Sequence, residues 1–217
     1  GKGAASGPEN LPSRPVQEPA ETAAVRVDNP GDARKAAESL ATLKLARSFR
    51  RNLEWGQAIP LYEAYILENP NSPDLPLTVL ELGRTYAQAG AYDAALSRFY
   101  SVLDLAINQE SAALNPGREL AFSARYEIAQ THLALGRYAQ AARLFLGMRT
   151  LPLIDGDRAR IYLSAGRALN LAGDKPGAAE EYQALLQLFS DSPLAPEARF
   201  ELAVVYAELG RRDDALG

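Results

Sequence analysis

The 217-residue chain contains one histidine, His132, and no cysteine. Histidine is the side chain whose ordinary pKa puts its charge change near neutral pH, so a general base or a metal ligand would be built first on His132. A zinc site needs three or four nitrogen and sulfur ligands, and no second histidine or any thiol exists to complete one. Triads of the Ser/His/Asp kind would have to use the same residue, and no nucleophile-elbow motif accompanies it. Asp155-Gly156-Asp157 carries acidic residues in a tight spacing but lacks the spaced oxygen ligands and the closing glutamate of a calcium loop. It reads as a turn followed by a helix cap. Glu180-Glu181 and Asp213-Asp214 read as solvated helix faces, because paired catalytic carboxylates need a cleft that perturbs them. There is no phosphate-binding glycine loop or dinucleotide fingerprint. No catalytic, metal or cofactor residue is expected. What remains is recognition chemistry carried by arginine, whose planar fork suits carboxylates.

The elements that would position those arginines are repeated. Asn71 to Gly90 reads NSPDLPLTVLELGRTYAQAG, and Asp191 to Gly210 reads DSPLAPEARFELAVVYAELG. Taking Gly90, Gly136, Gly173 and Gly210 as turns, with Leu53 in the equivalent place of a first unit, the spacings are 37, 46, 37 and 37 residues. Seven residues before each turn stand Ala46, Gly83, Ala129, Gly166 and Ala203, all small. Four before stand Phe49, Tyr86, His132, Leu169 and Tyr206. Five after stand Ala58, Ala95, Ala141, Ala178 and Ala215, and nine after stand Tyr62, Phe99, Phe145 and Tyr182. Large side chains thus face small ones across a pair of helices, with the turn between them. The slot of His132 is a core slot facing the paired helix. Asn29-Pro30 and Asn115-Pro116 read as helix starts, and the longer second interval, around Asn108 to Leu120, as lengthened helices meeting at Asn115-Pro116. No alternating strand pattern appears.

These positions resemble the tetratricopeptide repeat, a helix-turn-helix unit of about 34 residues, over residues 38 to 217. The resemblance implies an all-α, right-handed solenoid of antiparallel helix pairs. Spacings of 37 together with Ser72-Pro73-x-x-Pro76 and Ser192-Pro193-x-x-Pro196 resemble the bacterial cell-envelope branch, in which BamD-like and CpoB-like proteins carry such repeats. Each Pro-rich segment is expected to end one helix and reopen the next. Six residues before the turns come Arg47, Arg84, Gln130, Arg167 and Val204; ten before come Leu43, Leu80, Tyr126, Leu163 and Phe200. The two offsets share one helix face. In the family that face lines a groove, which implies a partner-binding surface made of Arg47, Arg84, Gln130 and Arg167 beside Leu43, Leu80, Tyr126, Leu163 and Phe200. The alternative is that the leucines pack against neighbouring units and the arginines are solvated. The carboxylate clamp of chaperone-binding members is not matched, since Leu43, Leu80 and Glu81 stand where its Lys and Asn would be.

Composition bounds the partner. A net charge of −4 and a pI near 5.2 supply no basic field for nucleic acid or anionic lipid, and no apolar run approaches the roughly 20 residues that cross a bilayer. Residues 1–28, rich in Gly, Pro, Ala and Glu and without aromatics, read as a tail or linker. Residues 29–217 read as a helical repeat domain of about five units. Its last unit is incomplete, so the chain is expected to be a piece of a longer protein. The function expected is a non-catalytic scaffold binding a protein or peptide segment with acidic and apolar residues, in the periplasm or another part of a bacterial envelope assembly. The alternatives are a cytoplasmic setting, a helical accessory domain of a larger enzyme such as a peptidoglycan-processing one, or a self-associating structural module.

Overall fold

The computed structural model describes residues 30–107 and 116–210. The chain divides into two units, residues 1–37 and 38–217; the first contributes only the opening turns of helix α1 to the described residues, and the architecture below is that of the second. Its helices are α1 (Pro30–Arg51), α2 (Trp55–Glu68), α3 (Leu75–Gln88), α4 (Tyr92–Ile107), α5 (Pro116–Ala134), α6 (Tyr138–Met148), α7 (Asp155–Leu171), α8 (Lys175–Leu188) and α9 (Ala195–Glu208). No strand occurs among the described residues. From α2 onward successive helices pack on one another, and α3 also meets α5 while α7 meets α9; α1 joins α2 through the core cluster of Leu43, Ala46, Ala58 and Tyr62. The result is the expected all-α solenoid of antiparallel pairs. Pro30 and Pro116 are the first residues of their helices, where a missing N–H costs nothing. Asn29 and Asn115 lie outside the described residues, as do Asn108 to Leu114, Asp213-Asp214 and Ala215.

The turns explain the periodic glycines. Gly90, Gly136, Gly173 and Gly210 have φ of 78°, 71°, 88° and 74°, and Leu53, with φ of 64°, is the only described non-glycine in this left-handed region. Each of the first four turns closes with a backbone bond from the residue after the turn to the carbonyl four before it: Glu54 to Phe49, Ala91 to Tyr86, Arg137 to His132 and Asp174 to Leu169, all at 2.9 Å. This is the Schellman closure of a helix C-terminus. The Pro-rich segments also repeat one geometry. The Ser72 and Ser192 hydroxyls accept from the N–H of Asp74 and Leu194, each at 3.2 Å. Leu75 and Ala195 then open the next helix, with Pro76 and Pro196 in its first turn.

Between paired helices the small residues meet rings. A Cβ on Gly83 would lie 2.6 Å from the Phe99 ring, and one on Gly166 would lie 2.8 Å from two further atoms of the Tyr182 ring. Ala58, Ala95, Ala141 and Ala178 are fully buried. Four core clusters result, and each is completed by the first helix of the following unit. Leu82 of α3 closes the first cluster and Ala124 and Ile128 of α5 the second. Ile161 and Ala165 of α7 close the third, and Ala195, Ala198 and Val205 of α9 the fourth.

Three stability outcomes follow. Gly166→Ala should destabilise by about 1–3 kcal/mol through overpacking against a buried ring, despite a gain in helix propensity of up to about 1 kcal/mol. Gly147→Ala, whose Cβ would meet nothing within 4 Å, should keep that gain. Leu53→Gly should stabilise by about 1 kcal/mol by removing a left-handed non-glycine. Urea unfolding followed by circular dichroism measures all three; a Gly166→Ala protein as stable as the parent would refute the ring packing.

Candidate functional site

The face six and ten residues before the turns is built on α1, α3, α5, α7 and α9. Leu43, Leu80 and Leu163 are 0–4% exposed and belong to the core clusters. They pack between units and offer no accessible floor to a groove. Tyr126 is half-buried. Its ring stands edge-on to Phe145 at 5.5 Å and carries the Arg160 guanidinium 5.7 Å from its centroid. Phe200 differs: it is 68% exposed, because no further described helix lies against that side of α9.

The arginines are neither buried nor merely solvated. Each donates to a glutamate on the first helix of the next unit. Arg47 Nε reaches Glu81 Oε2 at 2.8 Å and Arg84 Nε reaches Glu127 Oε1 at 2.6 Å. Arg167 reaches Glu201 Oε1 through Nε at 3.2 Å and Nη2 at 3.1 Å, and also bonds Glu197. Burial alone would lower the guanidinium pKa of Arg47 and Arg167, but the adjoining glutamates outweigh it and the net direction is up. Glu81, Glu127 and Glu201 all stand nine residues before their turns. In the one joint whose first unit carries Gln130 instead of arginine, the facing residue is Ser164 instead of glutamate. There the contact is a neutral relay: Gln130 Nε2 donates to the Tyr126 hydroxyl at 2.8 Å, and that hydroxyl shares a hydrogen bond with Ser164 Oγ at 3.0 Å. The sequence analysis missed this ladder; the signal that could have found it is that Glu recurs at that offset in every unit that follows an arginine and gives way to Ser164 opposite Gln130.

Arg84, Glu127 and Gln130 converge with Gln88, Tyr92 and Ala134 on a cleft of about 470 Å³ between α3 and α5. Arg47 and Arg167 do not line it. With donors, acceptors and exposed aliphatic surface, the cleft can take the backbone and side chains of an extended segment.

The remaining titratable groups take other roles. His132 is 4% exposed, and the Gln140 amide nitrogen lies 3.1 Å from Nε2. Burial, and secondarily the charge of Arg137, lower its pKa. The unfolded chain therefore binds the proton more readily, and this residue's contribution to stability rises with pH between the lowered folded value and the ordinary value of about 6.5. Glu181 corrects the expectation of a solvated face. It is 7% exposed, its Oε1 accepts from Arg149 at 2.7 Å and its Oε2 has no partner. Burial raises its pKa against the opposing pull of Arg149. Asp155, Gly156 and Asp157 form the first turn of α7, after Ile154 in the cap position, and the two aspartates face Arg158 and Arg160 three residues on, at 3.9 and 3.6 Å. No group of three or more metal-capable side chains occurs among the described residues, and no described helix is long and apolar enough to cross a membrane.

A family model described as Tetratricopeptide repeat matches residues 43–116, 126–193 and 172–217. No curated protein matches the chain. Among solved structures, the chain is similar to the nearly identical TPR-like repeats of a putative kinesin light chain from Podosopora anserina (20% identity, 82% of this chain and 90% of that one, TM-score 0.65). It is similar to MamA 41-end from Desulfovibrio magneticus RS-1 (17%, 82% and 89%, TM-score 0.63) and to the apo form of RapI (16%, 82% and 66%, TM-score 0.71). At these identities the likeness shows the fold.

A double-mutant cycle tests the ladder. Arg84→Glu alone should destabilise by roughly 0.2–1 kcal/mol, the range for partly exposed pairs, and Arg84→Glu with Glu127→Arg should recover most of it. Additive effects of the two substitutions would mean that the pair does not form.

Proposed function

The chain belongs to the tetratricopeptide repeat family, and on that footing we propose that it is a non-catalytic scaffold that holds an extended segment of a partner protein in the cleft between α3 and α5, within a bacterial envelope assembly. The cleft carries the reading. Arg84, Glu127 and Gln130 present a guanidinium, a carboxylate and an amide beside exposed aliphatic surface, on two helices that the core holds rigid. Such a surface binds by pre-organisation, since Arg84 and Glu127 are already held by each other and Gln130 by the Tyr126 hydroxyl. An envelope setting is supported by the Ser-Pro-x-x-Pro joints, the 37-residue spacing and the absence of cysteine, and fractionation of the source cells tests it directly.

Ala134 is exposed at the end of α5, beside the cleft. Ala134→Trp should fill the cleft while leaving the Arg84–Glu127 pair intact, and should weaken calorimetric titration of a partner captured on the chain by at least tenfold. Leu67→Ser, at an exposed position of α2, serves as the control. Equal affinity of wild type and Ala134→Trp would remove the partner from this cleft.

A further inference from the structure

A second cleft, of about 420 Å³, lies between α4, α5 and α6. Its floor is Ile128 and Met148, 2% and 3% exposed, and its walls are the half-buried Leu103, Leu144 and Leu151. Met148 is the only methionine of the chain, and its unbranched, polarisable side chain adapts to differently shaped apolar guests. At the rim stand Arg125 and Arg143, both exposed. Among the described residues no carboxylate lines this cleft and neither guanidinium has an ion-pair partner, in contrast to Arg47, Arg84, Arg149 and Arg167, each of which is paired within the chain. In a protein of net charge −4 this is a local excess of positive charge around an apolar hole. Gly147 adds an independent observation. It sits near the end of α6, where glycine costs up to about 1 kcal/mol relative to alanine. No close packing requires it, since a Cβ there would meet nothing within 4 Å. It lines the cleft, and the space its side chain would occupy is empty.

We propose that this cleft is a second peptide-binding site, taking a segment in which a large apolar side chain is flanked by acidic residues. The apolar side chain enters between Leu103, Leu144 and Met148, and the flanking carboxylates meet Arg125 and Arg143. Cavity volume suits one leucine- or phenylalanine-sized group with its neighbouring backbone, and the unpaired guanidinium groups set its direction through forked hydrogen bonds. The inference rests on the reading of the repeats as a peptide scaffold but uses other residues than the cleft of Arg84.

The test uses the full chain and a fluorescein-labelled peptide, Ser-Glu-Leu-Phe-Glu-Ser, with a counterpart carrying glutamine in place of both glutamates. Fluorescence anisotropy should show the acidic peptide binding at least tenfold more tightly than its glutamine counterpart, and the preference should shrink as salt is raised. Shifts in the amide resonances should centre on Gly147 and Met148. Arg125→Gln with Arg143→Gln, both exposed, should fold normally and lose at least tenfold in affinity. Gly147→Trp should block the cleft. Equal binding of the two peptides, unchanged affinity in the arginine double variant, or shifts that avoid Gly147 would each overturn the proposal. Ala134→Trp should leave this peptide's binding unchanged, so that failure here and failure of the α3–α5 cleft are separately visible.

Discussion

Everything in this protein depends on how closely an aromatic ring can approach a helix backbone. Phe99 and Tyr182 lie so near α3 and α7 that even a methyl group on Gly83 or Gly166 would overlap them. In the neighbouring units Phe145 and Tyr62 fill the same slot opposite alanines. That approach sets the distance between paired helices, which buries Ala58, Ala95, Ala141 and Ala178, five residues after the first four turns, between them. The Tyr62 and Tyr182 hydroxyls are buried without a partner, and phenylalanine serves as well in two units. The slot therefore selects a ring and tolerates an oxygen, whose burial pushes the tyrosine pKa up.

Because each pair needs the next unit's first helix to finish its core, the joints between units are where surface features arise. Both clefts belong to the joint that spans the long interval between Gly90 and Gly136. One opens between first helices α3 and α5, the other where second helices α4 and α6 flank α5. A single joint thus presents two differently charged concavities, one with its cation neutralised by Glu127 and one whose two cations have no ion-pair partner among the described residues.

The sequence made the helix pairs, the turns and the Pro-rich connections legible because each follows from local stereochemistry: a left-handed φ, a proline that opens a helix, a small residue opposite a ring. It also made the family legible, since the matching positions recur in phase. It was less informative about the site. Leu43, Leu80 and Leu163 share a face with the arginines, but whether that face meets solvent or another unit depends on stacking geometry that helical periodicity does not contain. The partners of the arginines lie 30 to 43 residues away, on different helices, so no local pattern announces them. Glu181 reads as a surface charge beside Glu180, yet one residue of helical rotation turns it inward towards Arg149. The apolar cleft beneath Arg125 and Arg143 was not visible at all, since it is assembled from three helices.

The neutral relay of Gln130, Tyr126 and Ser164 gives the array a reading order. If α3 met α7 in place of α5, Arg84 would face Ser164 and lose its carboxylate. If α5 met α9 in place of α7, Gln130 would leave Glu201 without a cation. Repeat arrays are prone to misassembly because their units look alike, and mispaired charges are a common device for discriminating between similar neighbours. A single uncharged rung therefore works as punctuation: it distinguishes the joint between the third and fourth units from the charged joints on either side.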